Sequence, residues 1–261
     1  MPVTETTIAP TSALVLHVTD PHLFASADAT VRGVRSADTF AAVLRQALAR
    51  APAPVAAILV TGDIADDLTD AAYERCRATL LATGIPAYCL PGNHDELAAM
   101  TRLLAHDGLQ YLGEARLGAW QLLLLDTHLP AETHGALGPA RLASLEARLQ
   151  ANPGRPTLLA MHHPPMPVGS AWIDSLALQD GASLLGMLER HPQVKALVCG
   201  HVHQACDQRR GALRLLSSPS TCVQFAPQSD DFALDARPPG WRWLRLHADG
   251  SLETEVCWLQ D

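Results

Sequence analysis

Five short blocks of this sequence bring together residue types that hold metal ions. They are Asp20-Pro21-His22, Gly62-Asp63, Gly92-Asn93-His94-Asp95, His162-His163, and Gly200-His201-Val202-His203. Each is ordinary in isolation. Asp-x-His suits a loop or a helix cap, and Gly-Asp is common turn chemistry. Their joint occurrence, each at the end of an apolar run, is what carries information. Asp, His and Asn make mixed nitrogen–oxygen donor sets that suit Fe, Mn, Zn or Co better than the all-oxygen sets of Ca or Mg. A carboxylate such as Asp63 has two oxygens and can bridge two cations. Neutral imidazoles and Asn93 leave such a pair with excess positive charge, which acidifies a bound water and polarises a phosphoryl group. The chemistry implied is phosphoester hydrolysis.

Strands and helices must position these blocks. Ala13 to Thr19, Val55 to Thr61, Ala87 to Leu90, Thr157 to Met161 and Val194 to Cys199 read as buried strands, one before each block. Further strands are expected at Trp120 to Leu125, Leu213 to Ser217, Trp241 to His247 and Leu252 to Leu259, the last two joined by a turn at Ala248-Asp249-Gly250. Helices are expected from Ser36, as cap, to Arg50, from Thr69 to Thr83 before Gly84, from Glu96 to His106, from Gly138-Pro139 to about Gln150, and from Gly181 to Arg190. Alternating strands and helices indicate an α/β chain with its site at the carboxyl ends of strands. With no repeat or linker, residues 1–261 are expected to form one domain, with 219–261 as a strand and loop extension packed on it.

Composition narrows the partners. Of 261 residues, 48% are hydrophobic and 18% charged, as in a folded globular chain. Nineteen Lys and Arg against 27 Asp and Glu leave a net charge of −8, unsuited to wrapping nucleic acid. No apolar run is long enough for a membrane span, and Met1 to Pro10 lacks the pattern of a signal peptide, so a cytoplasmic address is expected. Six cysteines without C-x-x-C spacing read as reduced structural thiols. His17, inside the first strand, reads as a packed residue, and His163 as a support for its neighbour His162 or, alternatively, a contact to substrate. His128, His134, His191 and His247 read as surface residues. A homodimer is left open.

The ordered set D-x-H, G-D, G-N-H-D, H, G-H-x-H resembles the signature of the calcineurin-like metallophosphoesterase superfamily, over Asp20 to His203. That resemblance implies a four-layer αββα sandwich, two central mixed sheets flanked by helices, around two divalent transition metal ions. Fe and Mn are the first expectation, with Zn or Co as further choices. It implies Asp20, His22, Asp63 and His203 as ligands of one ion, and Asp63, Asn93, His162 and His201 as ligands of the other. His94 matches the non-ligand histidine that contacts phosphate and protonates the leaving oxygen. The implied substrate contacts are His22, Asp63, Asn93, His94 and His203. Purple acid phosphatases carry a tyrosine three residues after the bridging aspartate; here that position is Asp66, so a tyrosinate–iron site is not expected.

Two further stretches resemble bacterial class III 3′,5′-cyclic-AMP phosphodiesterases. One runs from His162 through Pro164-Pro165-Met166 to Trp172-Ile173-Asp174. The other runs from Pro219 through Phe225 and Ser229-Asp230-Asp231-Phe232 to Trp241. The expected substrate is therefore a small cyclic nucleotide, cleaved to 5′-AMP by a metal-bridging hydroxide, with Trp172 and Phe225 either core residues or surfaces for the base. Alternatives are a broader phosphodiesterase acting on 2′,3′-cyclic nucleotides or glycerophosphodiesters, and a non-catalytic metal-binding scaffold. The complete ligand set and His94 count against the scaffold.

Overall fold

The computed structural model describes residues 12–260. The segment read as lacking a signal-peptide pattern lies outside these residues. In chain order the elements are β1 (Ser12–Val18), β2 (Thr30–Val31), β3 (Val34–Arg35), α1 (Ser36–Ala49), β4 (Val55–Thr61), α2 (Asp70–Leu81), β5 (Ala87–Leu90), α3 (Leu97–Leu103), β6 (Leu109–Tyr111), β7 (Gly113–Leu117) and β8 (Trp120–Leu124). There follow α4 (Gly138–Gln150), β9 (Thr157–Ala160), α5 (Ala171–Asp174), α6 (Gly181–Leu188), β10 (Val194–Cys199), β11 (Cys206–Arg210), β12 (Leu213–Ser217), β13 (Gln224–Phe225), β14 (Leu234–Asp235), β15 (Gly240–His247) and β16 (Leu252–Trp258).

Two six-stranded mixed sheets form the centre, in the orders β16-β15-β1-β4-β5-β6 and β11-β12-β10-β9-β8-β7. Their central strands are near-continuous apolar runs because both faces are covered. On β1, Ala13 and Val15 meet Leu59, Trp120, Leu122, Leu158, Val198 and Leu244 between the sheets. Leu14, Leu16 and Val18 point the other way, into a layer with Phe40, Leu44, Tyr73 and Met100 from α1, α2 and α3. The outer face of the second sheet packs Leu123, Leu159 and Leu197 against Leu145, Leu149, Leu184 and Leu188 of α4 and α6. Helix, sheet, sheet, helix is the expected αββα layering. No helix among the described residues is long and apolar enough to cross a membrane.

Parallel β1, β4 and β5 lie side by side in the first sheet, as β9 and β10 do in the second. Their carboxyl ends, which carry the five blocks, open on one crevice. The tail takes part: β15 pairs antiparallel with β1, and Ser220 Oγ donates to the Asp20 carbonyl at 2.8 Å.

Several expectations need correction. Ser36 is not a helix cap; Arg35 occupies that position, and the Ser36 hydroxyl donates instead to the His22 carbonyl at 2.7 Å. Thr69 does cap α2, accepting from Ala72 N. The chain also forms strands that its polarity hid: β7 and β11 are edge strands whose side chains largely face water. His128 and His191 are buried rather than on the surface. His191 is tucked into the turn after α6, where its N–H donates to Leu188 O and its carbonyl accepts from Val194 N.

Candidate metal centre

The seven expected ligands converge in two groups that share Asp63. In the first, His22 Nε2 lies 3.2 Å from His203 Nε2, which is 3.4 Å from Asp20 Oδ1, and His22 Nε2 is 3.8 Å from Asp63 Oδ2. In the second, His162 Nε2 lies 3.3 Å from Asp63 Oδ1 and 3.2 Å from Asn93 Oδ1, which is 3.0 Å from His201 Nδ1. The two oxygens of Asp63 thus face different groups.

Hydrogen bonding elsewhere on the rings decides what these atoms are. His22 Nδ1–H donates to Asp66 Oδ1 at 3.0 Å, His203 Nδ1–H to Val223 O at 2.8 Å, and His162 Nδ1–H to Thr61 O at 2.7 Å. With Nδ1–H committed in this way, Nε2 of each ring is a bare lone pair whenever the ring is neutral. The lone pairs of His22 and His203 therefore face one another, and that of His162 faces two oxygen acceptors. Such a cluster repels itself unless positive charge sits within it. Divalent cations with mixed nitrogen–oxygen preference fit this donor set, and the Nδ1–H contacts supply the outer support typical of metal-bound imidazoles.

Backbone geometry brings the donors inward at a cost. Asp20, His22, Asp63, His201 and His203 all have positive φ, between 46° and 69°. L-residues pay about 1 kcal/mol or more for that conformation, and it persists where surrounding structure imposes it. Glycines leave room for the side chains. A Cβ on Gly92 would stand 2.1 Å from Asp63 Oδ1, and one on Gly200 2.1 Å from Thr19 Oγ1 and 2.8 Å from Asp20 Oδ2. The Asp20 carboxylate accepts the His201 N–H, and Asp63 Oδ1 accepts the His94 N–H at 2.9 Å.

Two carboxylates to which the sequence reading gave no role in the site prove structurally important. Asp95 is buried and accepts from Ile64 N, Ala65 N and Gly92 N, which ties the Asp63 and Asn93 loops together. Burial, then the charge of Asp63, pushes the Asp95 pKa upward against those bonds. Asp66 Oδ1 receives His22 Nδ1 and stands 3.4 Å from His94 Nδ1. Hydrogen bonds from His22 and His94 hold its carboxyl well below the usual range. The reciprocal bond to Asp66 raises His94 to about 9, against the effect of its partial burial. Burial is the largest single effect on Asp63 and pushes its pKa up, but the charge and hydrogen bond of His162, together with the charges of His94 and His22, hold the carboxyl well below the usual carboxylate range.

His163 is buried, with Nδ1 2.8 Å from Thr127 Oγ1 and its ring 4.8 Å from His162. His17 is buried between the sheets, with Nε2 2.8 Å from Thr61 Oγ1 and Nδ1 2.6 Å from Ser218 Oγ. All six cysteines are free thiols. Of the two stretches flanking the site, Phe225 stacks on His203 and Trp172 packs edge-on against Phe225.

A family model described as calcineurin-like phosphoesterase matches residues 13–205, from β1 to just beyond His203. The chain belongs to this family. A Vibrio vulnificus protein named 3′,5′-cyclic adenosine monophosphate phosphodiesterase CpdA is 41% identical, over 96% of this chain and 91% of that protein. A Pseudomonas aeruginosa protein of the same name is 39% identical over 96% of this chain and 91% of its own length. Among solved structures, a dimetal phosphatase from Danio rerio superposes with a TM-score of 0.67 at 17% identity, covering 95% of this chain and 99% of that one. At that identity the superposition speaks for the fold alone.

Proposed function

We propose that this calcineurin-like phosphoesterase hydrolyses 3′,5′-cyclic AMP to 5′-AMP, using two divalent transition metal ions. The observation that carries the reading is the pair of donor groups facing the two oxygens of Asp63, in a chain about 40% identical to proteins named for this reaction. Asp20, His22, Asp63 and His203 would hold one ion, and Asp63, Asn93, His162 and His201 the other. Fe and Mn are the first candidates, with Zn or Co also suited to the donors. Bound there, the pair supplies Lewis acidity to the phosphoryl oxygens and lowers the pKa of water.

The protein's own groups account for the proton. His94 follows the Asn93 ligand on the same loop, its backbone is tied to Asp63, and its side chain is 43% exposed at the mouth of the site. Asp66 accepts from His94 Nδ1, leaving Nε2 to donate to the departing 3′-oxygen. Water gives up one proton to solvent and adds to phosphorus as hydroxide, the P–O3′ bond breaks, O3′ takes the His94 proton, and His94 is reprotonated from solvent. The phosphate stays on O5′. Ionised Asp66 lies near the ligands, and protonated His94 balances its charge. Two divalent ions held by the Asp20 and Asp63 carboxylates, with one hydroxide, would leave a net charge of about +1, which suits a phosphodiester monoanion better than a phosphomonoester dianion, so 5′-AMP leaves uncut.

Chromatography of the products from cyclic AMP, after chelation and restoration of Fe, Mn or Co, tests the reading. Accumulating 5′-AMP is expected. Formation of 3′-AMP, release of adenosine with free phosphate, or no turnover with any restored metal would overturn it.

A further inference from the structure

Next to His203 the structure holds an aromatic cluster that ends in water. Phe225 stacks on the His203 ring with centroids 4.1 Å apart and planes 5° from parallel. Trp172 and Phe232 meet Phe225 edge-on at 5.1 and 5.5 Å, and each other at 5.2 Å. Phe225 and Trp172 are half-buried, whereas Phe232 is 46% exposed. Arg32, at the exposed tip of the β2–β3 hairpin, places its guanidinium 5.1 Å from the centre of the Phe232 ring.

Exposure of Phe232 is built in. Its loop, between β13 and β14, is closed at the base by Ala226 N donating to Ala233 O at 2.8 Å, and Ser229 Oγ donates to Asp231 O at 2.6 Å. Phe232 rests against Trp172 and Phe225 and leaves nearly half of its surface in water, two ring-to-ring steps from His203. In a 3′,5′-cyclic nucleotide the phosphate is fused to the ribose, and the base projects from the far side of the sugar. With the phosphate beside His203, a base directed towards β13 meets this cluster. Aromatic faces bind bases by stacking, and a guanidinium stacks on either.

We propose that Phe232 is the platform for the aromatic base of the substrate, the base taking the place of the Arg32 guanidinium that now lies over the ring and Arg32 then stacking on the base. This deepens, and rests on, the cyclic-nucleotide reading above. Phe225 and Trp172 then serve beneath it, as the support that fixes Phe232 and the plane of His203. Such a platform favours cyclic nucleotides over diesters that lack a base, such as glycerophosphodiesters.

The experiment compares cyclic AMP with baseless ribose 3′,5′-cyclic phosphate, and the equilibrium binding of adenosine with that of ribose, on the metal-loaded full chain. Phe232→Ala should raise KM for cyclic AMP about 10-fold with kcat retained, and leave both constants for the baseless compound unchanged. Adenosine binding should weaken in parallel, Phe232→Leu should behave like the alanine variant, and Phe232→Trp should restore affinity. Equal loss on both cyclic phosphates, or adenosine binding no better than ribose in the unaltered chain, would overturn the platform. If instead neither cyclic phosphate is cleaved while other diesters are, the substrate reading fails; adenosine binding lost in Phe232→Ala would still establish the platform.

Discussion

Replacing Gly92 by alanine tests whether the site depends on the placement of one carboxylate. The added methyl would lie 2.1 Å from Asp63 Oδ1, 2.5 Å from Asp63 N and 2.7 Å from His162 Cε1, where real contacts stay beyond 3.0 Å. Oδ1 must retreat by about 1 Å, a misplacement that costs on the order of 10²-fold in rate when it falls on reacting groups. The backbone nitrogen of Asp63 cannot yield as a side chain does, so about 1–3 kcal/mol of overpacking adds to the effect. For a chain of this size that lowers Tm by roughly 2–4 °C per kcal/mol. Gly84→Ala is the control. Gly84 has φ +68°, with nothing within 4 Å of the added methyl. It should cost stability through backbone strain alone and leave activity intact. The assay is metal content after dialysis, melting temperature, and kcat/KM on a phosphodiester. A Gly92→Ala protein that keeps two metal equivalents and the full kcat/KM would refute the reasoning.

Asp63→Ala should reduce retention of both ions, whereas Asp20→Ala should mainly weaken one; elemental analysis of stripped and reconstituted protein distinguishes these, and tight retention of two equivalents by Asp63→Ala contradicts a shared carboxylate. His94→Ala should keep its metals while kcat falls about 10²–10⁴-fold, with less loss on nitrophenyl esters, whose leaving groups need no proton. The raised His94 pKa gives a donor that is filled below about 9 and emptied as pH rises through it. Asp66→Asn removes the first cause of that rise, so the alkaline limb of the rate profile should move to lower pH; an unmoved limb would show that another group sets it.

Much of this architecture was legible because burial makes residues write their surroundings into the sequence. β4 and β10 are covered on both faces, so their apolar runs announced them, and the polar block after each marked the crevice. Edge strands carry no such record. Cys206-Asp207-Gln208-Arg209-Arg210 pairs along β12 through its backbone while its side chains face mostly outward. Ser36 shows a second limit, since its competing acceptor, the His22 carbonyl, is local only in space. Asp66 and Asp95 show a third. Each is an acid given no task from sequence, because that task depends on partners that the fold delivers, Tyr73 OH among those of Asp95 at 3.2 Å. His191 was misplaced because enclosure by a turn leaves no periodic trace, and His128 because it lies in the irregular segment between β8 and α4, where there is no period to read.

The left-handed conformations at Asp20, His22, Asp63, His201 and His203 bear on how such a chain responds to selection. At each position glycine would relax the backbone and delete a donor atom, so folding and chemistry pull in opposite directions on the same residue. A library sorted for heat tolerance in the presence of a chelator should accumulate Gly or Asn at these turns and lose hydrolysis as it does so. Sorted with metal present, the same library should retain all five residues, because ligand binding then rewards the strained backbone.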